Sequence, residues 1–196
     1  IFPSALQVFR LGLGQPAVNF PPLTAKFLYE HFTKHISEDE RVIVYDPSAG
    51  WGGRILGAMT VKRDLHYIGT DPNPDNVGIY ERVADFYNTH CFQSNPFFGK
   101  ASPNSYEVFK LGSEVIGDDE NFLKYFGKLD FVFTSPPYFN REQYSQDENQ
   151  SFKKFSAYED WRDNFLKPTL DTAFSFLKND RYLCWNIADI KVGSNK

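Results

Sequence analysis

Short apolar runs alternate with helix-like stretches along most of this sequence, and turn-forming residues follow the runs. The runs that predict strands lie at residues 41–46, 65–71, 106–112, 129–134 and 181–188. The stretches that predict helices lie at residues 52–62, 75–90 and 158–178. Strands that alternate with helices are typical of βαβ units, whose crossovers are right-handed and whose sheets are parallel. We therefore expect an α/β fold with a mostly parallel sheet.

Two prolines set the expected limits of helices. Pro74, followed by Asp75, favours the start of the helix over residues 75–90, because proline and acidic residues suit the first turn. Pro168 lies inside the stretch 158–178 and lacks the N–H that a continuous helix needs. We expect Pro168 to kink or divide that helix.

Length and composition indicate a folded domain without a strong overall charge. A chain of 196 residues with 41% hydrophobic and 17% aromatic residues is long enough to bury a substantial core. The net charge of −4 argues against binding nucleic acid through the charge of the whole chain, although a local basic strip remains compatible with it. The sequence begins at Ile1, which suggests a fragment or a processed chain.

Cysteine usage and hydropathy indicate an intracellular protein. Cys91 and Cys184 are the only cysteines, and neither lies in a spacing that is typical of metal ligands. We therefore expect no metal site and no disulfide framework. No segment has the length of a membrane span or the pattern of a secretory signal, so we expect no membrane association.

A glycine-rich segment follows the first predicted strand. It reads Asp46-Pro47-Ser48-Ala49-Gly50-Trp51-Gly52-Gly53. Glycine has no Cβ and tolerates positive φ, so such a turn lets backbone amides approach a ligand closely. The spacing differs from the dinucleotide and P-loop patterns, which weakens those two interpretations. A tight strand-to-helix turn that binds nothing is the alternative.

A second distinctive segment, Thr134-Ser135-Pro136-Pro137-Tyr138, follows the apolar run 129–133. The two prolines stiffen the backbone and remove two N–H donors, so the segment presents acceptors on a rigid loop. Ser135 adds a hydroxyl group to this loop, and Tyr138 adds an aromatic ring. These residues predict a pocket for a planar group that carries an NH2.

The two segments together resemble amino-group DNA methyltransferases. Ser135 to Tyr138 resembles the catalytic motif of that family, and residues 42–54 resemble its S-adenosylmethionine-binding loop. The resemblance implies a Rossmann-like methyltransferase fold of seven strands that ends in a C-terminal hairpin. Only five strands are predicted, so we expect that hairpin to be missing and residues 1–196 to form a single, incomplete catalytic domain.

The resemblance also implies which residues bind S-adenosylmethionine. They are Phe20, Thr24, Asp46, Ser48, Ala49, Gly50, Gly52, Asp71, Pro72, Asn73 and Ser113. The loop from Asp46 to Gly52 would surround the methionine part, Asp71 would accept from the ribose hydroxyls, and Pro72 and Asn73 would flank the adenine. Three alternatives remain: a helix cap at Asp71, a surface turn at 112–114, and simple packing at Phe20 and Thr24.

Catalysis is expected from Ser135, Pro136, Pro137 and Tyr138. By the resemblance, Ser135 Oγ and the Pro136 carbonyl accept the N–H groups of the reacting amine, while Tyr138 stacks on the target base. A base inside a duplex cannot reach such a loop, so the expected partner is DNA with a flipped or unpaired base. Core packing is the alternative role of Tyr138.

The sequence therefore predicts methyl transfer to an exocyclic amino group of a DNA base. Ser135 at the first motif position favours N4 of cytosine, because family members with serine there are often cytosine enzymes. Four alternatives remain, namely adenine N6, RNA, a protein amide, or an inactive subunit that binds the cofactor. The expected compartment is the cytoplasm of a bacterial, archaeal or phage-infected cell.

Overall fold

A computed structural model describes residues 19–92, 104–137, 139, 151–155 and 157–187. Its sheet has five strands in the order β3-β2-β1-β4-β5, and all four pairings are parallel. The strands are β1 (Val42–Asp46), β2 (Leu65–Thr70), β3 (Ser105–Phe109), β4 (Leu129–Thr134) and β5 (Leu177–Trp185). The predicted α/β fold with a parallel sheet is confirmed.

Helices pack on both faces of this sheet. The helices of the described ranges are α1 (Pro22–Thr33), α2 (Gly53–Met59), α3 (Pro74–Phe86), α4 (Glu120–Leu123), α5 (Ser151–Lys154), α6 (Tyr158–Trp161) and α7 (Lys167–Phe176). Two π-helical turns, Tyr87–Phe92 and Arg162–Leu166, and a 3-10 turn at Ile116–Asp118 complete the regular structure of the described ranges. None of the described helices is long and apolar enough to cross a bilayer.

The predicted helix over residues 158–178 is divided into three pieces. α6 ends at Trp161, a π-helical turn covers Arg162–Leu166, and α7 begins at Lys167. Pro168 lies in the first turn of α7, directly after the π-helical turn. The backbone stays right-handed helical at Leu166 and Lys167, so the regular helix is interrupted next to the proline rather than ended there.

Side chains of successive strand residues enter two separate cores. On one face, Val42 and Val44 of β1 pack in a cluster with Tyr29 of α1 and Ile55 of α2. On the other face, Tyr45 belongs to the cluster that contains Val132, Phe122 and Phe176, which lie on β4, α4 and α7. Because helices cover both faces, a ligand reaches the sheet most directly at the ends of the strands.

The segment before α1 is pressed against the start of α2. A Cβ at Gly53 would overlap the carbonyl oxygen of Phe20 and the side chain of Asn19. Only glycine permits this approach. The close contact brings residues 19–20 beneath the loop that follows β1.

Candidate cofactor and catalytic site

A cavity lies at the carboxyl ends of β1 to β4. It contains about 680 Å³ of empty space, part of which is open to solvent. Its lining consists of Pro47, Ser48, Gly50, Trp51, Thr70, Asp71, Pro72, Asn73, Asn76, Gly112, Ser113, Glu114, Ser135, Pro137 and Phe165. The strand order reverses between β1 and β4, and α/β sheets bind ligands in the crevice at such a point.

The loop after β1 owes its shape to two left-handed glycines. Gly50 has φ 62° and Gly52 has φ 82°, a region that side chains with a Cβ rarely occupy. A Cβ on Gly50 would find only ordinary contacts, at 3.5 Å from Arg54 Nη2 and 3.7 Å from the Ser48 carbonyl oxygen. Backbone conformation, rather than lack of space, therefore requires glycine at position 50.

Asp46 holds this loop from behind. Its Oδ2 accepts from Arg54 Nε and Tyr67 OH, both at 2.7 Å. Its Oδ1 accepts from Thr134 Oγ1 at 2.7 Å and from the Ser48 N–H at 3.2 Å. A carboxylate offers about four acceptor positions, so these bonds fill it. Asp46 is 1% exposed and does not line the cavity, and its hydrogen bonds join β1, β2, β4 and α2.

The carbonyl groups of the loop also bond to the protein. Arg54 Nη2 donates to the Ser48 carbonyl oxygen, and the Tyr80 hydroxyl, whose single proton is shared with Asp71 Oδ2, contacts the Gly50 carbonyl oxygen. The Gly50 N–H has no partner among the residues that the structure describes. The loop thus uses these acceptors internally and keeps a backbone donor for a ligand.

Asp71, one residue beyond β2, lines the cavity and is 7% exposed. Its Oδ1 accepts from the Asn73 N–H at 2.8 Å, and its Oδ2 accepts from Asn76 Nδ2 at 2.9 Å and from Tyr80 OH. Burial raises the pKa of Asp71, while these three hydrogen bonds oppose the rise. The cap of α3 is Asn73, whose Oδ1 accepts from the Asp75 N–H, so the helix-cap alternative belongs to Asn73 and not to Asp71.

Residues 112–114 form the opposite wall of the cavity. Ser113 is buried, and its Oγ lies 3.0 Å from Thr169 Oγ1 of α7. The carboxylate of Glu114 binds Lys154 Nζ at 2.6 Å. Phe165 of the second π-helical turn completes this wall. Residues 112–114 therefore belong to the cavity rather than to a surface turn.

The motif after β4 reaches the same cavity. Ser135 and Pro137 line it, whereas Pro136 is buried and does not. Asn186 Nδ2 donates to Ser135 Oγ at 3.3 Å. Tyr138, for which we expect base stacking, lies outside the described residues.

An aromatic cluster supports the residue that follows the motif. Phe139 has φ 25°, which is unusual for a bulky side chain and stores backbone strain. Its ring centroid lies 5.7 Å from that of Tyr158 and 5.9 Å from that of Trp161. Trp161 in turn packs against Phe165 at 5.8 Å, so the cluster extends from the motif to the cavity wall.

The predicted cofactor residues divide into two groups. Those that line the cavity are Ser48, Gly50, Asp71, Pro72, Asn73 and Ser113. Those that do not line it are Phe20, Thr24, Asp46, Ala49 and Gly52. Ala49 is buried behind the loop, where its N–H donates to the Thr70 carbonyl, and Thr24 is exposed on α1. The sequence pattern therefore does not separate residues that line the cavity from residues that support it.

Asn19 connects the segment before α1 to the glycine loop. Its Oδ1 accepts from the Gly53 N–H at 3.0 Å, and its Nδ2 donates to the Trp51 carbonyl at 3.3 Å. Phe20 packs against Arg54, whose guanidinium lies 5.7 Å from the centroid of the Phe20 ring. Sequence reasoning did not assign a role to Asn19, although a polar residue directly before Phe-Pro-Pro was a usable signal.

Sequence reasoning also did not assign Trp51, Asn76 or Phe165 to the site. Trp51 stands inside the glycine loop, where an aromatic residue was a visible anomaly, and Asn76 lies in the first turn of a helix that begins at the cavity. No feature of the neighbouring sequence identifies Phe165 as a residue of the cavity. Within the described ranges, no group of three or more His, Cys, Asp or Glu side chains is arranged to hold a metal ion.

Comparison with solved structures supports the fold. No protein-family model and no curated protein matches this sequence. A structure of the rRNA methyltransferase aviRa from Streptomyces viridochromogenes aligns with a TM-score of 0.54 and 14% identity, over 93% of this chain and 81% of that one. A second structure of aviRa aligns with a TM-score of 0.52 and 13% identity, over 87% and 75% of the two chains. The chain therefore has a Rossmann-like methyltransferase fold.

Proposed function

We propose that this chain transfers a methyl group from S-adenosylmethionine to an exocyclic amino nitrogen of a DNA base, with N4 of cytosine favoured. One observation carries the proposal: Ser135 and Pro137 line the same cavity as Gly50, Asp71 and Ser113. The predicted catalytic loop and the predicted cofactor loops thus meet, although they follow different strands.

The residues of the cavity fit the cofactor by their chemistry. S-adenosylmethionine, when bound, supplies a methyl group on a positively charged sulfur. The Gly50 N–H is a donor for its carboxylate, and Asp71 is an acceptor for a ribose hydroxyl. Pro72 and Phe165 offer apolar surface for the adenine. Asp46 supports this arrangement indirectly, because its acceptor positions are already used by the protein.

The proposed catalytic step depends on hydrogen-bond acceptors that face the amine. An exocyclic amine is a poor nucleophile because its lone pair is delocalised into the ring. Ser135 Oγ, and in this proposal the Pro136 carbonyl, draw the two N–H bonds and orient the nitrogen toward the methyl group. Asn186 uses one lone pair of Ser135 Oγ and leaves the other for the substrate. Serine is a weak base, so the released proton passes to water.

The choice of DNA and of cytosine rests on the motif. Serine at position 135 favours N4 of cytosine, and adenine N6 is served by the same mechanism. A base in RNA is the second candidate substrate, because the aviRa structures that share this fold belong to an rRNA methyltransferase. In either nucleic acid the base must be unpaired or flipped to reach Ser135.

The deciding experiment identifies the methylated nucleoside. Protein is incubated with deuteromethyl-labelled S-adenosylmethionine and with DNA or RNA in separate reactions, and the digested nucleosides are analysed by mass spectrometry. Labelled N4-methylcytosine in DNA supports the proposal. Labelled N6-methyladenine would mean that the target base is adenine. Label in RNA alone would mean that the substrate is RNA and not DNA. Labelled 5-methylcytosine contradicts the mechanism, because that product needs a cysteine nucleophile and the loop after β4 has none.

Replacement of Ser135 tests the role of the acceptor. Ser135→Ala should lower the turnover number about a hundredfold or more, since it removes a group that acts on the reacting amine. Cofactor affinity should not change. Ser175→Ala, at an exposed position of α7, is the matched control and should keep full activity. Full activity of Ser135→Ala would contradict the assignment of this loop.

A further inference from the structure

Asp71 has little acceptor capacity left for a ligand. An ionised carboxylate offers about four acceptor positions. Asn76 Nδ2 and Tyr80 OH occupy Oδ2, and the Asn73 N–H occupies one position on Oδ1. About one position on Oδ1 therefore remains, whereas a ribose presents two neighbouring hydroxyls. Asp71 alone therefore cannot accept hydrogen bonds from both ribose hydroxyls.

Asn76 stands beside Asp71 with an unused acceptor. A carboxylate oxygen only accepts, so the amide nitrogen of Asn76 must face Asp71, and its Oδ1 is left for another donor. In the described part of the chain this Oδ1 accepts no hydrogen bond, and it is not among the buried polar atoms that lack one. Asn76 is half-buried and lines the cavity, so it brings this free acceptor to the cavity wall.

The position of Asn76 is well fixed. It is the third residue of α3, and its N–H donates to the Asn73 carbonyl at 3.2 Å. The bond to Asp71 at 2.9 Å orients its side chain. A group held in place before binding loses less conformational entropy when a ligand arrives.

We propose that Asp71 and Asn76 form a paired ribose site, in which each side chain accepts from one of the two hydroxyls of the cofactor. Asp71 Oδ1 takes one hydroxyl and Asn76 Oδ1 takes the other. This inference rests on the proposed use of S-adenosylmethionine and adds to it a specificity residue, Asn76. It also explains why the amide of Asn76 stands beside Asp71. A carboxylate with two free acceptor positions would accept from both hydroxyls alone, whereas Asp71 has about one.

The test combines one substitution with ligands that lack one hydroxyl. Calorimetry measures the affinity of wild type and Asn76→Ala for S-adenosylhomocysteine and for its 2′-deoxy and 3′-deoxy analogues. With S-adenosylhomocysteine, Asn76→Ala should bind about threefold to tenfold more weakly, as expected for one neutral hydrogen bond. With the analogue that lacks the hydroxyl bound by Asn76, the two proteins should agree within about twofold, because the contact is already absent.

Several outcomes would overturn the paired site. An equal loss for all three ligands would mean that Asn76 acts only by supporting Asp71, and no loss would mean that it does not act on the sugar. Wild type that binds both deoxy analogues as tightly as the parent ligand also contradicts it. Asn121→Ala, at an exposed position of α4, is the control and should bind like wild type. A wild-type protein that does not bind S-adenosylhomocysteine would instead refute the proposed function.

Discussion

The two sides of the cavity are held in different ways. On the side that we propose binds the cofactor (the cofactor side), polar groups of Asp46, Tyr80 and Asn19 connect the loops after β1 and β2. On the side that we propose is catalytic (the catalytic side), ring contacts of Phe139 and its aromatic neighbours dominate, and Ser135 Oγ has one hydrogen bond in the described part of the chain.

This difference fits the proposed roles of the two sides. Hydrogen bonds are directional, so a network of them fixes individual backbone atoms, and a small cofactor with many polar groups needs such fixed partners. Ring packing fixes the position of a segment with less directional precision, which suits a loop that must admit a large substrate. We therefore expect substitutions on the cofactor side to change stability and cofactor affinity, and those on the catalytic side to change turnover.

The largest expected effect is that of Asp46→Ala. Removal of this carboxylate leaves Arg54 buried without its partner, and loss of one member of a buried ion pair lowers the free energy of unfolding by about 3–5 kcal/mol. Denaturant unfolding measures the change. Asp163→Ala breaks the exposed pair with Arg162 and should leave unfolding unchanged. If the two variants were equally stable, Asp46 would not be the residue that supports the cofactor side.

A smaller effect is expected for Tyr80→Phe, which removes the hydroxyl that contacts Gly50 and Asp71. Loss of a hydrogen bond to a charged group should lower the free energy of unfolding by about 1.5–3 kcal/mol. Denaturant unfolding measures this change, and Tyr182→Phe, at an exposed position of β5, is the control.

Tyr80→Phe should also shift the pH dependence of binding. Asp71 accepts fully only when it is ionised, so affinity falls as the pH drops through its raised pKa. The Tyr80 hydrogen bond lowers that pKa, and its loss raises the pKa further. The acidic decline in affinity should therefore begin at a higher pH in Tyr80→Phe than in wild type. An unchanged pH profile would show that Tyr80 does not act through Asp71.

The smallest effect is expected for Asn186→Ala on the catalytic side. This substitution removes the hydrogen bond to Ser135 Oγ, which is exposed and 3.3 Å long. Turnover should fall only about threefold, with no change in cofactor affinity, since a weak exposed hydrogen bond contributes little. Asn164→Ala is a control at an exposed position of the second π-helical turn. A hundredfold loss of turnover would mean that polar contacts, and not ring packing, position the catalytic side.

Local chemistry was sufficient to predict several elements. β4 covers residues 129–134 as predicted, because a continuous apolar run fits a strand that is buried on both faces. α3 begins at Pro74, where proline and Asp75 suit the first turn. The site lies where strand ends meet, which follows from parallel strands whose carboxyl ends share one edge of the sheet.

The start of β5 could not be predicted in the same way. The strand begins at Leu177 and not at residue 181, and the polar residues Lys178 to Arg181 carry no strand pattern. Lys178 Nζ and Arg181 Nε both donate to Asp130 Oδ1 of β4, at 2.7 Å and 3.3 Å. The partner of these side chains is distant in sequence, so no local pattern reveals the pairing.

The sequence by itself determined the order of the elements, the loops that line the cavity and the serine-proline motif, because each depends on neighbouring residues. Only the tertiary structure decided which side chains face the cavity. Asp46 turns away from it toward partners as distant as Thr134, 88 residues further on, while Asn76 and Phe165 enter it. The physical reason is that a polar side chain takes the nearest available partners in the folded chain, and sequence spacing does not specify which partners those are.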